Sequence, residues 1–206
     1  MDMNHQLSAR EVTDLAISWI TISLAFAIAV SGLRLATVTG ALPITLIAVG
    51  TGFIFHELAH KYVALHYKAW AEFRMWTMGL VIALVGAVVG FVFAAPGAVY
   101  IYAEHLSKKK NAFISIAGPL MNLGIAVIFW LIWVMRPGDL LGLIAGYGLR
   151  INLWLGFFNM IPFMPLDGAK VWRYSPGLWA SLFVPLGILI FFPHALAGIL
   201  PLPDLF

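Results

Sequence analysis

The sequence predicts an all-α polytopic membrane protein with five or six transmembrane helices, and two observations lead to this prediction. Of the 206 residues, 62% are hydrophobic and only 10% are charged, whereas a soluble domain carries about 25% charged residues. The hydrophobic residues are also gathered in runs of about 20, the length that a helix needs to cross the hydrocarbon layer. Because so few charges cannot cover a water-facing surface, we expect lipid to cover much of the protein.

Six apolar runs are separated by short polar stretches. They cover residues 15–33, 43–67, 77–99, 112–135, 140–166 and 178–200. Pro43 opens the second run, and proline is favoured in the first turn of a helix. We therefore expect the second helix to begin there. Arg150 lies near the middle of the fifth run, where it is either a functional charge or a side chain that reaches toward an interface.

The third run, residues 77–99, differs from the others. It is rich in Val and Gly and ends in Pro96-Gly97, which is unfavourable for a straight helix and compatible with β-structure or a bent hairpin. Basic residues cluster before and after it, at 61–74 and 108–110, and again at 170–173. Since basic loops stay in the cytoplasm, both ends of the run belong there. We expect a re-entrant β-hairpin; the alternative is an ordinary spanning helix.

A candidate metal site lies inside the second run. His56 and His60 are four residues apart, which places both imidazoles on one face of a helix, where they can bind one metal ion. Glu57 can act as the general base on a water activated by that ion. Ionisable groups inside a span cost about 2.5–3.5 kcal/mol each, so three in five residues indicate a function rather than a chance pattern or a structural polar cluster.

Two His residues leave a catalytic zinc site one protein ligand short, and a chain without cysteine must supply His, Asp or Glu. The candidates are Glu72, Glu104, Asp139, Asp167, His66, His105 and His194. Most of them lie in polar patches or turns, where a solvated side chain is expected. Asp167 differs because it follows an apolar run and lies, by the charge count, on the same side as the two His residues. Pro162 and Pro165 should break the helix before it.

Three motifs resemble those of the site-2 proteases, the M50 class of intramembrane zinc metalloproteases. HELAH at 56–60 resembles the zinc-binding helix of the family, with Ala59 where the family often has Gly. AGP at 117–119 followed by Asn122 resembles its AGPxxN segment. NMIP at 159–162 followed by LDG at 166–168 resembles its NxxPxxxLDG segment. The order and spacing of the motifs agree, and the resemblance covers about residues 43–170.

The resemblance implies a catalytic centre with one zinc ion. His56, His60 and Asp167 would bind the ion, and Glu57 would be the catalytic base. Asn159 would contribute to catalysis by steadying the substrate or the oxyanion. We further expect a single domain over residues 1–206 without a PDZ or CBS regulatory domain.

The resemblance also implies how a substrate binds. Residues 77–99 would form a membrane-embedded strand segment against which an unwound substrate pairs. Asn122 would contact the substrate, although Asn residues also commonly hydrogen-bond between membrane helices, and both interpretations stay open. The expected partners are a transmembrane protein substrate and the lipid bilayer, with no nucleic acid; the sequence does not specify an oligomeric state.

The predicted function is therefore zinc-dependent cleavage of transmembrane segments by a multi-pass protein of the cell membrane, with its active site toward the cytoplasmic side. Two other functions compete with it. A metal transporter would need ligands at several depths and has no use for Glu57 as a base. A catalytically inactive relative that binds transmembrane segments as a chaperone would usually have lost Glu57 or a ligand.

Overall fold

The computed structural model describes residues 7–92, 95–103 and 105–192, which contain seven helices and two strands. The helices are α1 Ala9–Ser31, α2 Leu35–His66, α3 Thr77–Val88, α4 Lys108–Met135, α5 Leu140–Asn159, α6 Asp167–Tyr174 and α7 Pro176–Phe191; the strands are β1 Trp70–Met75 and β2 Gly97–Tyr102. The chain divides into two compact units, Met1–Glu104 and His105–Phe206, and each unit is described by itself.

Four of the described helices, α1, α2, α4 and α5, are long and apolar enough to cross a membrane. This agrees with the prediction of a helical membrane protein. Helices α3 and α7 have 12 and 16 residues, so at 1.5 Å per residue they extend about 18 and 24 Å, less than the hydrocarbon thickness of about 30 Å. Five or six spans are thus not established, and the end of the last predicted run, 193–200, lies outside the described residues.

Helix α2 begins earlier than the sequence indicates. It starts at Leu35 and contains Pro43 in its interior, so the expectation that Pro43 opens the helix is wrong. The apolar residues before the proline extend the helical segment, and membrane helices tolerate a proline because neighbouring groups can satisfy the backbone carbonyl that it leaves unbonded. The result is a 32-residue helix that carries HELAH near its C-terminal end.

Residues 77–99 do not form the predicted β-hairpin. Residues 77–88 form α3, and the strand is displaced to Gly97–Tyr102, where it pairs antiparallel with β1 from Trp70↔Tyr102 to Met75↔Gly97. Because α3 is too short to span, the alternative of an ordinary spanning helix does not hold either. Valine favours strands mainly through side-chain packing with neighbouring strands. Its abundance in residues 77–99 was therefore not sufficient to predict a strand.

Two glycines of α3 allow the returning chain to lie against the helix. A Cβ atom added to Gly79 would stand 2.1 Å from the carbonyl oxygen of Ala95, and one added to Gly86 would stand 2.4 Å from that of Phe91. Any side chain there would force the backbone apart. The glycine content of the run therefore reflects close approach of two backbone segments rather than strand structure.

Helix α1 supplies acidic side chains to the free edge of β1. Glu11, which is buried, accepts a hydrogen bond from the Phe73 amide at 3.0 Å and forms an ion pair with Lys61 of α2. Asp14 accepts from the Met75 amide at 3.4 Å. These bonds satisfy strand amides that point away from β2, and they tie α1, α2 and β1 together.

Glu72 of β1 adds a second connection to α1. Its carboxylate accepts from the Ser8 hydroxyl and lies 2.6 Å from the Arg74 guanidinium. Burial raises the pKa of Glu72, but the hydrogen bonds from Ser8 and Arg74 and the charges of Arg74 and Lys61 outweigh it, so the pKa lies below 4.5. The stabilisation is therefore complete above pH 4.5 and is lost as the pH falls through the folded-state value.

The second unit is an assembly of α4, α5, α6 and α7. Three of its four helices begin at side-chain caps, with Ser107 before α4, Asp139 before α5 and Ser175 before α7. Their buried apolar side chains form one core: Ile116, Ala126, Phe129, Ala145, Leu149, Leu153, Met160, Val171, Leu182, Leu186 and Ile190. This core holds the segment between α5 and α6, residues 160–166, and Asp167 follows this segment as the first residue of α6.

Candidate active site

The two histidines of HELAH face each other on α2. Their Nε2 atoms are 3.0 Å apart, and their ring centroids are 4.6 Å apart. Both side chains are buried. Two nitrogens bound to one tetrahedral zinc ion at about 2.0–2.1 Å would be roughly 3.3 Å apart, so His56 and His60 are spaced as two ligands of one ion.

Glu57 follows His56 on the same helix and is also buried, with 7% of its surface exposed. A carboxylate is costly to bury in an apolar span unless polar or charged groups surround it. Glu57 lies next to His56 in the sequence, and an ion held by His56 and His60 would offset the cost of burying a carboxylate there. The position is therefore suited to a proton acceptor.

Asp167 stands at the start of α6, after a break in the helical structure. Helix α5 ends at Asn159, and residues 160–166 form turns and bends, which confirms that the helix ends before Pro162. Asp167 is buried, and its Oδ1 lies 3.4 Å from the Lys170 ammonium. Gly168 lets this segment fold tightly, because a Cβ atom there would stand 2.0 Å from the carbonyl oxygen of Met160.

One group of three among the described His, Asp and Glu residues offers potential ligand atoms within 4.8 Å of one another, and it consists of His56, His60 and Asp167. All three are buried. Two imidazole nitrogens and one carboxylate oxygen are a donor set that catalytic zinc sites use, with a further position for water or substrate. The residues present therefore fit a zinc ion.

The other ligand candidates lie in different surroundings. Glu72 is bound to Ser8 and Arg74. Asp139 caps α5, and the Gly142 amide, followed by Arg136, holds its pKa below the ordinary value. His66 and His105 are exposed. Glu104 and His194 lie outside the described residues.

Asn159 is the last residue of α5. Its amide nitrogen donates to the carbonyl oxygen of Leu155 at 2.9 Å, and the side chain is half-buried. One of its two amide hydrogens thus bonds within its own helix, and the second can serve another acceptor. The role of Asn159 in catalysis stays a prediction.

Asn122 is fully buried in α4 and bonds to a residue that the sequence analysis missed. Its amide nitrogen donates to Oδ1 of Asn152 on α5 at 3.1 Å, and the Asn152 amide donates to the carbonyl oxygen of Gly148 at 2.8 Å. An Asn in an apolar helix was the signal that could have identified Asn152. The structure thus supplies the interhelical bond, whereas substrate binding by Asn122 stays a prediction.

The two roles of Asn122 can be separated with paired variants. We expect Asn152→Ala to lower the free energy of unfolding by about 1–3 kcal/mol, because it leaves a buried amide of Asn122 without this acceptor. Asn122→Ala should destabilise similarly and, if Asn122 contacts substrate, also raise KM beyond the effect of Asn152→Ala. Thermal unfolding in detergent and KM for a peptide substrate would be measured. Equal KM values for the two variants would limit Asn122 to packing.

The membrane-type helices and the buried His–His–Asp group together define a membrane protein with a site of the metallohydrolase class. Comparisons with known proteins narrow the class. A Methanocaldococcus jannaschii protein, MJ0611, whose name gives it as an inferred zinc metalloprotease, is 43% identical over 183 residues, 88% of this chain and 93% of that protein. By this similarity the chain belongs to the family of zinc metalloproteases that MJ0611 represents, and zinc is its cofactor.

Two further relatives agree. The Bacillus subtilis protein YwhC, also named as an inferred zinc metalloprotease, is 28% identical over 195 residues, 76% of this chain and 88% of its own length. The M. jannaschii zinc metalloprotease MJ0392 is 24% identical over 172 residues, 83% of this chain and 45% of its own length. No family model matches the chain, and no solved structure gives a significant match to it.

Proposed function

We propose that this zinc metalloprotease is an intramembrane endopeptidase of the site-2 protease type, which cleaves transmembrane segments of membrane proteins. The observation that carries the proposal is the position of HELAH within α2, a helix apolar and long enough to cross a membrane. His60 lies six residues before the helix ends at His66, or about 9 Å along the axis. The buried His pair therefore belongs to the apolar segment and not to a surface loop.

Five residues of the chain take part in the proposed mechanism. His56, His60 and Asp167 would hold the zinc ion, which when bound supplies Lewis-acid activation of water and of the scissile carbonyl. Glu57 would take the proton from the attacking water and later pass it to the leaving amine. The second amide hydrogen of Asn159 would donate to the oxygen that becomes negative during attack.

A transmembrane substrate would have to unwind before cleavage, because the amides of a helix are already hydrogen-bonded to one another. We propose that the unwound segment pairs with β2. The sheet has two strands, and α1 carboxylates bind the outer amides of Phe73 and Met75 on β1. The edge of β2 that faces away from β1 is therefore the edge to which an extended peptide can add.

We propose that the protein is a multi-pass protein of the cell membrane whose active site opens toward the cytoplasm. The basic clusters at 68–74, 108–110 and 170–173 support this orientation. Lys61, which belongs to the first cluster in the sequence, is buried against Glu11 and does not contribute. The connection between β1 and β2, which contains α3, starts and ends at the paired residues Met75 and Gly97, so both of its ends would lie on the same side of the membrane.

Thiol labelling in intact cells would test this orientation, because the chain has no cysteine. Lys109→Cys should resist a membrane-impermeant reagent, and Gly138→Cys should react with it. The opposite pattern would contradict the proposed orientation.

The proposed activity is tested by incubating the purified protein in detergent with a protein that carries one transmembrane segment. We expect cleavage inside that segment, located by mass spectrometry, with loss of activity after chelation and recovery after zinc is added back. A substrate whose segment contains a helix-breaking Gly-Pro pair should be cleaved faster, because it unwinds more readily. Cleavage confined to the soluble parts of the substrate would contradict an intramembrane protease.

A further inference from the structure

An open groove of about 510 Å³ lies in the second unit, beside the turn between α4 and α5. From Gly138 it follows one face of α5 past Gly146 and Tyr147 to Arg150, with Trp133 of α4 on the other side. Its volume is within the range of ligand pockets, about 300–1,000 Å³. None of the residues assigned to the metal site lines this groove.

Arg150 contributes a positive charge to the groove, and no acidic side chain among the described residues forms an ion pair with it. The residue is half-buried, and its Nε is buried without a hydrogen-bond partner in the described part of the chain. Its guanidinium carbon lies 5.8 Å from the centre of the Tyr147 ring, a contact that orients the group without neutralising it.

No acidic residue of α5 can balance this charge, because the helix contains none. Asp139, which also lines the groove, is paired with Arg136 at 2.6 Å and caps α5 through the Gly142 amide. A cation within a membrane helix is unfavourable unless it pairs with an anion or reaches water. Arg150 therefore has the charge and the exposure to bind an anionic ligand.

The residues that line the groove are suited to the polar head group of an amphiphile. Arg150 lies ten residues after Leu140 in α5, about 15 Å along the helix, and a long Arg side chain can extend from there toward the membrane surface. Trp133 and Tyr147 are of the residue types that occupy the boundary between lipid and water. Gly146 lies beside Trp133, where an added Cβ atom would stand 3.5 Å from the indole ring, in van der Waals contact, so a larger side chain would extend into the groove.

We propose that this groove binds the phosphate group of an anionic phospholipid and that Arg150 is its counter-ion. A guanidinium group binds phosphate through two parallel hydrogen bonds, which makes Arg the residue type suited to this head group. The lipid chains would continue along the apolar face beside Leu143, and the phosphate would bind the terminal nitrogens of the Arg150 guanidinium group.

The test uses the zinc-loaded full-length protein in a neutral detergent, titrated with fluorescent phosphatidylglycerol, with phosphatidylcholine and with inorganic phosphate. We expect saturable binding of phosphatidylglycerol that Arg150→Gln weakens at least tenfold. Gly146→Leu, which keeps the charge but fills the groove, should weaken it similarly. Arg34→Gln removes an exposed arginine at the start of α2 and should leave binding unchanged.

Each outcome decides the proposal. Equal affinity for phosphatidylcholine, or unchanged binding in Arg150→Gln, would overturn it. Inorganic phosphate that binds as tightly as the lipid would overturn a lipid source and identify free phosphate as the ligand. Zinc content and gel filtration report whether each variant folds, and if Arg150→Gln fails to fold, loss or retention of binding in Gly146→Leu decides the question.

Discussion

Glu57→Gln should lower the rate of substrate cleavage by about 10²–10⁴-fold, the usual contribution of a positioned general base. The amide keeps the size of the side chain but cannot take a proton. Zinc content should not change, because Glu57 does not belong to the group of potential ligands His56, His60 and Asp167. Cleavage of a transmembrane substrate would be followed by gel, and zinc would be measured by atomic absorption on the same preparations.

Glu57→Asp is the matched control for this experiment. It keeps the carboxylate but withdraws it by one methylene, so its activity should lie between those of wild type and Glu57→Gln. Equal cleavage by wild type and Glu57→Gln at equal zinc content would remove Glu57 from catalysis. Transport or chaperone function would be indifferent to either change.

Removing any one of the three potential ligands should abolish both zinc retention and cleavage. We expect about one zinc ion per chain in wild type, and a loss of affinity in His56→Ala, His60→Ala and Asp167→Ala of more than the 10–100-fold that follows loss of an outer-shell partner. His66→Ala is the matched control, because His66 is exposed at the end of the same helix. Its zinc content should equal that of wild type.

Of the three ligand variants, Asp167→Ala is the most informative test of the proposed zinc site. His56 and His60 are a local pair within one helix, whereas Asp167 comes from a distant part of the sequence. Full zinc content in Asp167→Ala would exclude it as a ligand and direct attention to another carboxylate. Loss of zinc in His66→Ala would show that the variants lose metal through general destabilisation, and would invalidate the series.

The parts of the site that depend on local spacing could be predicted from the sequence. An α-helix brings residues four apart onto one face, so the facing imidazoles of His56 and His60 followed from their positions alone. The end of α5 before Asp167 followed from Pro162 and Pro165, since proline interrupts the backbone bonds of a helix. Composition and the lengths of the apolar runs were likewise sufficient for the membrane class.

The parts that depend on long-range packing could not be predicted. Residues 77–88 are helical although their composition favours strands, because helix and strand preferences of apolar residues yield to the packing around them. The sheet joins β1 to β2 across 22 to 32 positions of sequence, and β2 begins two residues before the predicted hairpin segment ends.

The partners of buried polar side chains on different elements could not be predicted from the sequence either. Lys61 pairs with Glu11, 50 residues away, and Asn122 bonds to Asn152, 30 residues away. Within one helix, geometry repeats at a fixed period and the sequence by itself determines which side chains face each other. Between elements, the partner of a buried charge or amide is whichever group packing brings within hydrogen-bonding distance, and only the tertiary structure decides that.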